Sequence, residues 1–85
     1  MTDYRLFILR RAQKELAQMP PEAYERIRAA IRSLGQNPRP ERCRKLAGRE
    51  GWRIRVGDYR VIYEIDDNQE TVTILHVGHR HDIYR

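Results

Sequence analysis

The chain has 85 residues, 40% of them hydrophobic, a formal net charge of +5 and a single cysteine. This length supports one domain with a modest core, and the apolar content argues against a disordered tail. A lone cysteine excludes an internal disulfide and indicates a reducing compartment. No apolar run reaches the length of a membrane span, and the first residues lack the hydrophobic region of a signal peptide. We therefore expect a cytoplasmic protein with no membrane association.

The predicted elements begin with a strand and two helices. Residues 4–9 alternate in the manner of a strand, and apolar residues at helical spacing predict a helix over residues 10–19. Pro20-Pro21 ends this helix and begins a second one, which Gly35 is predicted to end. Because only the prolines separate the two helices, an antiparallel helical hairpin is expected.

A long connection and three strands complete the chain. The connection covers residues 36–51, and long loops of this kind are often functional. Strands are predicted at residues 52–56, 59–65 and 71–77. The order β-α-α-β-β-β predicts an α+β fold, with the helical hairpin packed on one face of a small, mainly antiparallel sheet. Residues 1–85 are expected to form one domain, with the other face of the sheet left open.

The strands around Gly57-Asp58 determine which side chains share a face. With this pair at the centre of a type II′ turn, Arg55 faces Arg60 directly. Because side chains alternate along a strand, Arg53, Arg55 and Arg60 project from one surface. The other surface carries the predicted core residues of the hairpin, which are Trp52, Ile54, Val56, Tyr59, Val61, Tyr63 and Ile65.

Two arginines set directly opposite each other repel, and a bound anion removes that repulsion. Phosphate is the obvious candidate, because the planar guanidinium group holds phosphate oxygens bidentately. The alternative is that Arg53 and Arg55 are solvated partners of Glu64 or Glu70.

Apolar side chains are also expected on the open face. Ile62 shares the side of the strand arginines, while the loop length leaves the parity of Val72 and Ile74 open. An exposed apolar stripe beside basic residues would indicate a surface that a partner protein covers.

The excess positive charge lies in one segment. Residues 39–60 contain eight basic and three acidic residues, whereas the rest of the chain has nine of each. This footprint is typical of proteins that bind nucleic acid or an acidic partner. The alternative is a solvated connector that binds nothing. Besides the strand arginines, the residues predicted to attract nucleic acid are Arg39, Arg42, Arg44, Lys45 and Arg49.

Four short motifs resemble the RelE/ParE toxin superfamily, and its RelE branch most closely. They are Lys45-Leu46-x-Gly48, Trp52-Arg-Ile-Arg-Val, Asp58-Tyr-Arg-Val-Ile-Tyr and Val77-Gly-His-Arg-x-x-x-Tyr84. The resemblance covers essentially the whole chain. It implies a type II toxin that enters the ribosomal A site and cleaves mRNA, and that a cognate acidic antitoxin blocks. Operator DNA would be bound only through the antitoxin complex.

The resemblance also implies which residues act, namely Arg53, Arg55, Arg60, Arg80 and Tyr84. Many RelE relatives carry lysine on the second strand, and an arginine, with a pKa above about 12, cannot replace lysine as a base. Arg53 and Arg55 are therefore assigned to charge stabilisation. If the tail is extended, Arg80, Asp82 and Tyr84 share the outward side, and His79, His81 and Ile83 share the other.

Such a site would cleave RNA without a metal or cofactor. The 2′-hydroxyl of the RNA is the nucleophile, and fixed positive charge stabilises the pentacoordinate phosphate. The general base is left open among Tyr84, His81 and Asp82. The three histidines have strand spacing and not the spacing of a zinc site, so no metal site is expected.

Two other functions compete with the nuclease. A ParE-like toxin would inhibit DNA gyrase by binding, without nuclease activity, but Arg60, Arg80 and Tyr84 together favour the nuclease. An inactive relative would act only within an autorepressing complex on DNA.

Overall fold

The computed structural model of the protein describes residues 3–48 and 50–79. Several predicted site residues lie outside the described residues: Arg49, Arg80, His81, Asp82 and Tyr84. The described elements follow the order β-α-α-β-β-β-β and form a single sheet with both helices packed on one side. The predicted α+β fold is therefore confirmed, with one additional short strand.

Both helices form where apolar residues recur at helical spacing. Strand β1 spans Arg5–Ile8, and helix α1 spans Arg10–Ala17. Helix α2 spans Pro21–Gln36, with Pro21 in the first turn, where its missing N–H costs nothing. The buried residues of the two helices include Ala12, Leu16, Ile27, Ala30, Ile31 and Leu34. In the part of the chain that the structure describes, no helix is long and apolar enough to span a bilayer.

The sheet has five strands in the order β1-β5-β4-β3-β2. After β1, they are Arg44–Lys45 (β2), Trp52–Val56 (β3), Tyr59–Asp66 (β4) and Thr71–His79 (β5). Strand β1 runs parallel to β5, and all other neighbouring strands are antiparallel. The short strand β2 forms within the connection that was predicted to lack regular structure.

The hairpin of β3 and β4 has the predicted register. Arg55 pairs with Arg60, and Gly57 in the turn has a φ of 61° while Asp58 does not have a positive φ, as a type II′ turn requires. The predicted core residues of this hairpin belong to the core or pack against it, namely Trp52, Ile54, Val56, Tyr59, Val61, Tyr63 and Ile65. The opposite side of the sheet, on which none of the described helices packs, is called the arginine face, and it is defined by Arg53, Arg55 and Arg60.

A β-bulge interrupts the pairing of β4 with β5. Ile62 pairs with His76, whereas the next residue, Tyr63, pairs with Ile74. Leu75 is therefore the extra residue on β5. Because a bulge adds one residue to one strand, it reverses which side chains of that strand face the helices.

Ile65 pairs with Val72 and Tyr63 with Ile74, so the parity that the sequence left open is decided by the register between the turn and the bulge. Val72 and Ile74 precede it and are fully buried in the core, as is Val77 after it. Ile62 lies on the arginine face, as predicted, but its exposure is only 2%. The expected exposed apolar stripe is therefore wrong for Ile62, Val72 and Ile74.

Gly35 does not end α2, contrary to the prediction. The helix continues to Gln36, and Gly35 is buried in its last turn. The Gly35 carbonyl accepts a hydrogen bond from the N–H of Tyr4 at 2.7 Å, and a Cβ on Gly35 would lie 3.1 Å from the Tyr4 carbonyl oxygen. The glycine thus permits the close approach of the backbone just before β1.

We expect Gly35→Val to destabilise the protein more than Gln36→Val does. Helix propensity alone would favour Gly35→Val over Gln36→Val, because valine is a better helix former than glycine and a worse one than glutamine. Only the valine at position 35 meets the backbone of Tyr4, so a larger loss there reports the steric contact. The additional loss in the free energy of unfolding should be about 1–3 kcal/mol, the usual range for overpacking. Urea denaturation measures both variants. Equal losses would show that β1 accommodates a side chain at this position.

Candidate active site

The arginine face brings together residues from three strands. Arg53 and Arg55 lie on β3, and Arg60 lies on β4 directly opposite Arg55. Arg44 of β2 pairs with Arg53 and therefore joins the same face. On the other side of β4, Gly78 of β5 pairs with Arg60. Since glycine has no side chain, a ligand bound at Arg60 could approach the sheet closely here.

The arginines of β3 are not neutralised by the carboxylates considered from sequence. Among the described residues, the ion pairs join Arg11 to Glu15, Arg39 to Asp67 and His76 to Glu15. Arg53 and Arg55 form no ion pair with Glu64 or Glu70. Their positive charge therefore contributes fully to the potential of the arginine face, which favours an anionic ligand.

Arg39 has a local partner. Its Nη1 and Nη2 donate to Asp67 Oδ1 and Oδ2 at 3.2 and 2.9 Å, in the bidentate geometry typical of arginine and carboxylate. The Arg39 guanidinium also lies over the Trp52 ring, 5.3 Å from its centroid. The Tyr4 hydroxyl donates to Asp67 Oδ1 at 2.6 Å. This cluster connects the long loop to the turn between β4 and β5.

Hydrogen bonds in this cluster shift the pKa of each member. Those from Arg39 and then Tyr4 lower the pKa of Asp67. The hydrogen bond to Asp67 raises the pKa of Tyr4 and that of Arg39. A second connection holds the loop on the helix side, where the Tyr63 hydroxyl donates to the Pro38 carbonyl at 2.8 Å. Burial raises the pKa of Tyr63, which therefore stays protonated.

The basic residues of the loop do not all share one face. Arg44 pairs with Arg53, while Lys45 pairs with Trp52 and therefore lies on the helix side. Arg44 Nη1 donates to the carbonyl oxygens of Cys43 and Glu41 at 2.9 and 3.2 Å. Arg42 is exposed.

The described histidines have different surroundings. His79 pairs with Tyr59 on the helix side, and their rings meet edge to face at 5.7 Å. His76 lies in register with Ile62, and its Nδ1 is 2.6 Å from Glu15 Oε2. Within residues 3–48 and 50–79, no group of three histidine, cysteine or carboxylate side chains could hold a metal ion.

Sequence reasoning missed the contact of α1 with β5. Glu15 and Arg11 are one helical turn apart, a spacing that predicts only a local ion pair. That Glu15 also reaches β5 depends on the packing of α1 against the sheet, for which the sequence has no local signal.

The chemistry of the arginine face is electrostatic. Three guanidinium groups on rigid strands can surround a phosphate, and charge fixed before reaction is usually the largest catalytic contribution. Arginine stays protonated near neutrality and so is unsuited to proton transfer. Any proton transfer must come from other side chains or from the ligand itself.

The chain matches the family model described as the ParE toxin of the type II toxin–antitoxin system parDE, over residues 4–84. It belongs to this family of type II toxins. Among individual relatives, it is 40% identical over 79 residues to the toxin RelG of Mycobacterium tuberculosis, with 87% of each chain covered. The chain is thus a toxin of the RelE-like branch of the RelE/ParE superfamily, as the motifs predicted.

Solved structures agree with this assignment. A chain of the archaeal RelE–RelB complex from Pyrococcus horikoshii OT3 is 32% identical with a TM-score of 0.83, and covers 96% of this chain and 99% of its own length. A chain of the RelBE2 toxin–antitoxin complex from Mycobacterium tuberculosis is 28% identical with a TM-score of 0.82, over 92% of this chain and 99% of that one.

We expect Asp67→Asn to remove part of the acid dependence of stability. The pKa of Asp67 is lowered in the folded state, so its ionised form stabilises the fold above the unfolded-state pKa. This stabilisation is lost as the pH falls through the lower, folded-state pKa. The free energy of unfolding of wild type should therefore exceed that of the variant at pH 7, and the difference should vanish in strong acid.

Denaturant titrations at several pH values measure this difference. Asp58→Asn in the exposed turn is the matched control, since no ion pair is found for Asp58 among the described residues. A difference between wild type and Asp67→Asn that persists unchanged into acid would contradict the assigned role of the carboxylate.

Proposed function

We propose that the protein is a ribosome-dependent mRNA endoribonuclease that inhibits translation and that its cognate antitoxin neutralises. The observation that carries the proposal is the direct pairing of Arg55 with Arg60, beside Arg53, on the sheet face opposite the two described helices. A scissile phosphate bound there would relieve the repulsion between the arginines. A protein that acts on ribosomes works in the cytoplasm, and we place it there.

In the proposed reaction, the RNA 2′-hydroxyl attacks the adjacent phosphorus and the bond to the 5′-oxygen breaks. Negative charge accumulates on the pentacoordinate phosphate, where Arg53, Arg55, Arg60 and Arg80 would stabilise it. No metal is required, because the nucleophile belongs to the substrate. A base takes the proton of the 2′-hydroxyl and an acid protonates the leaving oxygen. Tyr84, His81 and Asp82 stay candidates for these proton transfers.

The proposed antitoxin segment covers the arginine face. An acidic segment would pair with the arginines, and an apolar residue would meet Phe7, which is 49% exposed and pairs with Thr73 on the same face. Solved relatives crystallised as complexes of RelE with RelB support an antitoxin as the partner. Operator DNA would be contacted through the antitoxin within that complex.

The experiment that tests the nuclease is primer extension on mRNA translated by purified ribosomes. Wild type should produce cuts within codons, and Arg60→Ala should cleave about a hundred- to thousandfold more slowly, since it removes one preorganised donor. Arg32→Ala is the matched control, because it removes the same charge from an exposed position on α2. Equal cleavage by Arg60→Ala and Arg32→Ala would contradict the assignment.

Three further variants, measured in the same assay, distinguish the roles of the C-terminal residues. Arg80→Ala should lose most cleavage with ribosome binding retained, and Tyr84→Phe separates proton transfer from stacking, because it keeps the ring and removes the hydroxyl. If His81→Ala were far more damaging than the arginine variants, a histidine would be the centre of the chemistry. Intact mRNA together with trapped gyrase–DNA complexes would identify a ParE-like gyrase inhibitor instead.

The loop charges offer a separate prediction about binding. Arg42, Arg44, Lys45 and Arg49 are proposed to attract ribosomal RNA, while the charge of Arg39 is paired with Asp67. Arg44→Gln should weaken ribosome binding more than Lys45→Gln, because Arg44 shares the face of Arg53 and Lys45 does not. For Arg44→Gln, the slope of log affinity against log salt concentration should become shallower by about 0.7, the value for one phosphate contact on a single strand.

Sedimentation with ribosomes at several salt concentrations measures both variants, which are matched in sequence position and lost charge. Cleavage within an assembled complex should stay largely intact. Unchanged affinity in both variants at low and moderate salt would make the loop a solvated connector.

A further inference from the structure

Strand β5 extends well beyond the strand beside it. Its parallel neighbour β1 ends at Ile8, which pairs with Ile74, and the N–H of Leu9 donates the next hydrogen bond to the Ile74 carbonyl at 3.0 Å. Beyond Ile74, β4 is the only strand in the described part of the chain that pairs with β5. The edge of β5 that faces α1 therefore needs other partners for its backbone groups.

The bulge lies where this support ends. Leu75 is the extra residue, and after it Val77 turns toward the core while Gly78 comes to lie opposite Arg60. A strand without the bulge would reverse both placements, because a shift of one residue exchanges the two faces. The composition of the arginine face beside Arg60 thus depends on which register β5 adopts after Ile74.

Glu15 contacts β5 just after the bulge. Its Oε1 accepts a hydrogen bond from the N–H of Val77 at 2.8 Å, and its Oε2 lies 2.6 Å from His76 Nδ1. Arg11 completes the cluster, with its Nε 3.4 Å from Glu15 Oε2 and its Nη2 3.3 Å from His76 Nε2. The cluster of Arg11, Glu15 and His76 is called the β5 latch.

The latch connects β5 to a helix whose position is fixed. On α1, Leu16 is buried and Ala12 is fully so. The side chains of Glu15 and His76 are only 24% and 17% exposed, so water competes weakly for their contact. Because Arg11 contacts both Glu15 and His76, and Glu15 contacts His76, the three side chains form one cluster.

We propose that Glu15 is a positioning residue of this toxin, whose carboxylate holds β5 in the register that follows the bulge. It acts through the backbone of Val77 and the ring of His76, and it keeps Gly78 opposite Arg60. Arg80 follows Gly78 by two residues in the sequence, so the same register precedes a residue assigned to the reaction. This inference rests on the proposed nuclease function.

The test compares Glu15→Ala and Glu15→Gln with Glu25→Ala, a control that removes an exposed carboxylate from α2. Glutamine can still accept from the Val77 N–H through its amide oxygen, so it should retain most activity, whereas alanine has no acceptor. Single-turnover cleavage of ribosome-bound mRNA should give about a hundredfold lower rate at saturation for Glu15→Ala, the cost of a small misplacement. The toxin concentration at half-saturation should stay within about twofold of the wild-type value, because binding is not the step affected.

Amide hydrogen exchange of the free proteins reports the latch without any RNA. The Val77 amide should exchange much faster in Glu15→Ala than in wild type or Glu15→Gln, at a temperature where all of them are folded. If Glu15→Ala fails to fold, Glu15→Leu replaces it, since leucine keeps the volume but removes the acceptor.

The outcomes separate the two proposals. Wild-type protein that leaves ribosome-bound mRNA intact would remove the proposed function. Cleavage by wild type with an equal saturating rate in Glu15→Ala would overturn the positioning role alone. Lower thermal stability at an unchanged saturating rate would do the same, because it would reduce Glu15 to a structural contact.

Discussion

The two-residue turn at Gly57-Asp58 is the constraint on which the rest of the site depends. It sets the register of β3 against β4, and that register places Arg55 directly across from Arg60. The same alternation sends Ile54 and Val61 into the core. Burial of the apolar side chains under the helices therefore holds the arginines together on the other side, although like charges repel there. The free energy gained by core packing thus offsets the repulsion between the arginines on the opposite face.

The two faces of the sheet differ, because the helices pack on one face and the arginines lie on the other. Both helices cover one side, and within residues 3–48 and 50–79 no helix packs across the arginine face. A side chain there is stabilised by its neighbours or by a ligand. Ile62 is buried on that face at 2% exposure, whereas Phe7 at the sheet edge is half exposed. The basic part of the face is thus a charged surface and not an apolar groove, which favours a polyanion over an apolar ligand.

The positive segment of the chain divides into residues with different roles. Arg39 is paired with Asp67 and lies over Trp52, so it stabilises the loop. Arg44 extends the arginine face, and Lys45 lies on the other side of the sheet. In the amino-acid composition, these three residues each count as one positive charge and cannot be distinguished. Their separation arises because β2 pairs with β3, and two adjacent residues of a strand point to opposite faces.

Much of the protein follows from its sequence alone. Apolar periodicity, the prolines and the Gly57-Asp58 turn predict the helical hairpin, the register of β3 with β4 and the face shared by Arg53, Arg55 and Arg60. These features are local, because each depends on residues close together in the chain. The family motifs add the branch of toxins to which the chain belongs.

Tertiary structure decided what depends on distant contacts. The register of β4 with β5 placed Val72 and Ile74 in the core, and the bulge at Leu75 placed Val77 on the same side. The approach of Tyr4 explains a glycine that was predicted to end α2. Glu15 reaches Val77 only because α1 packs beside the end of β1. Such contacts join residues far apart in the chain, so the pattern along the chain cannot specify them. They depend on how the helices pack on the twisted sheet and on which backbone N–H and C=O groups still need hydrogen-bond partners.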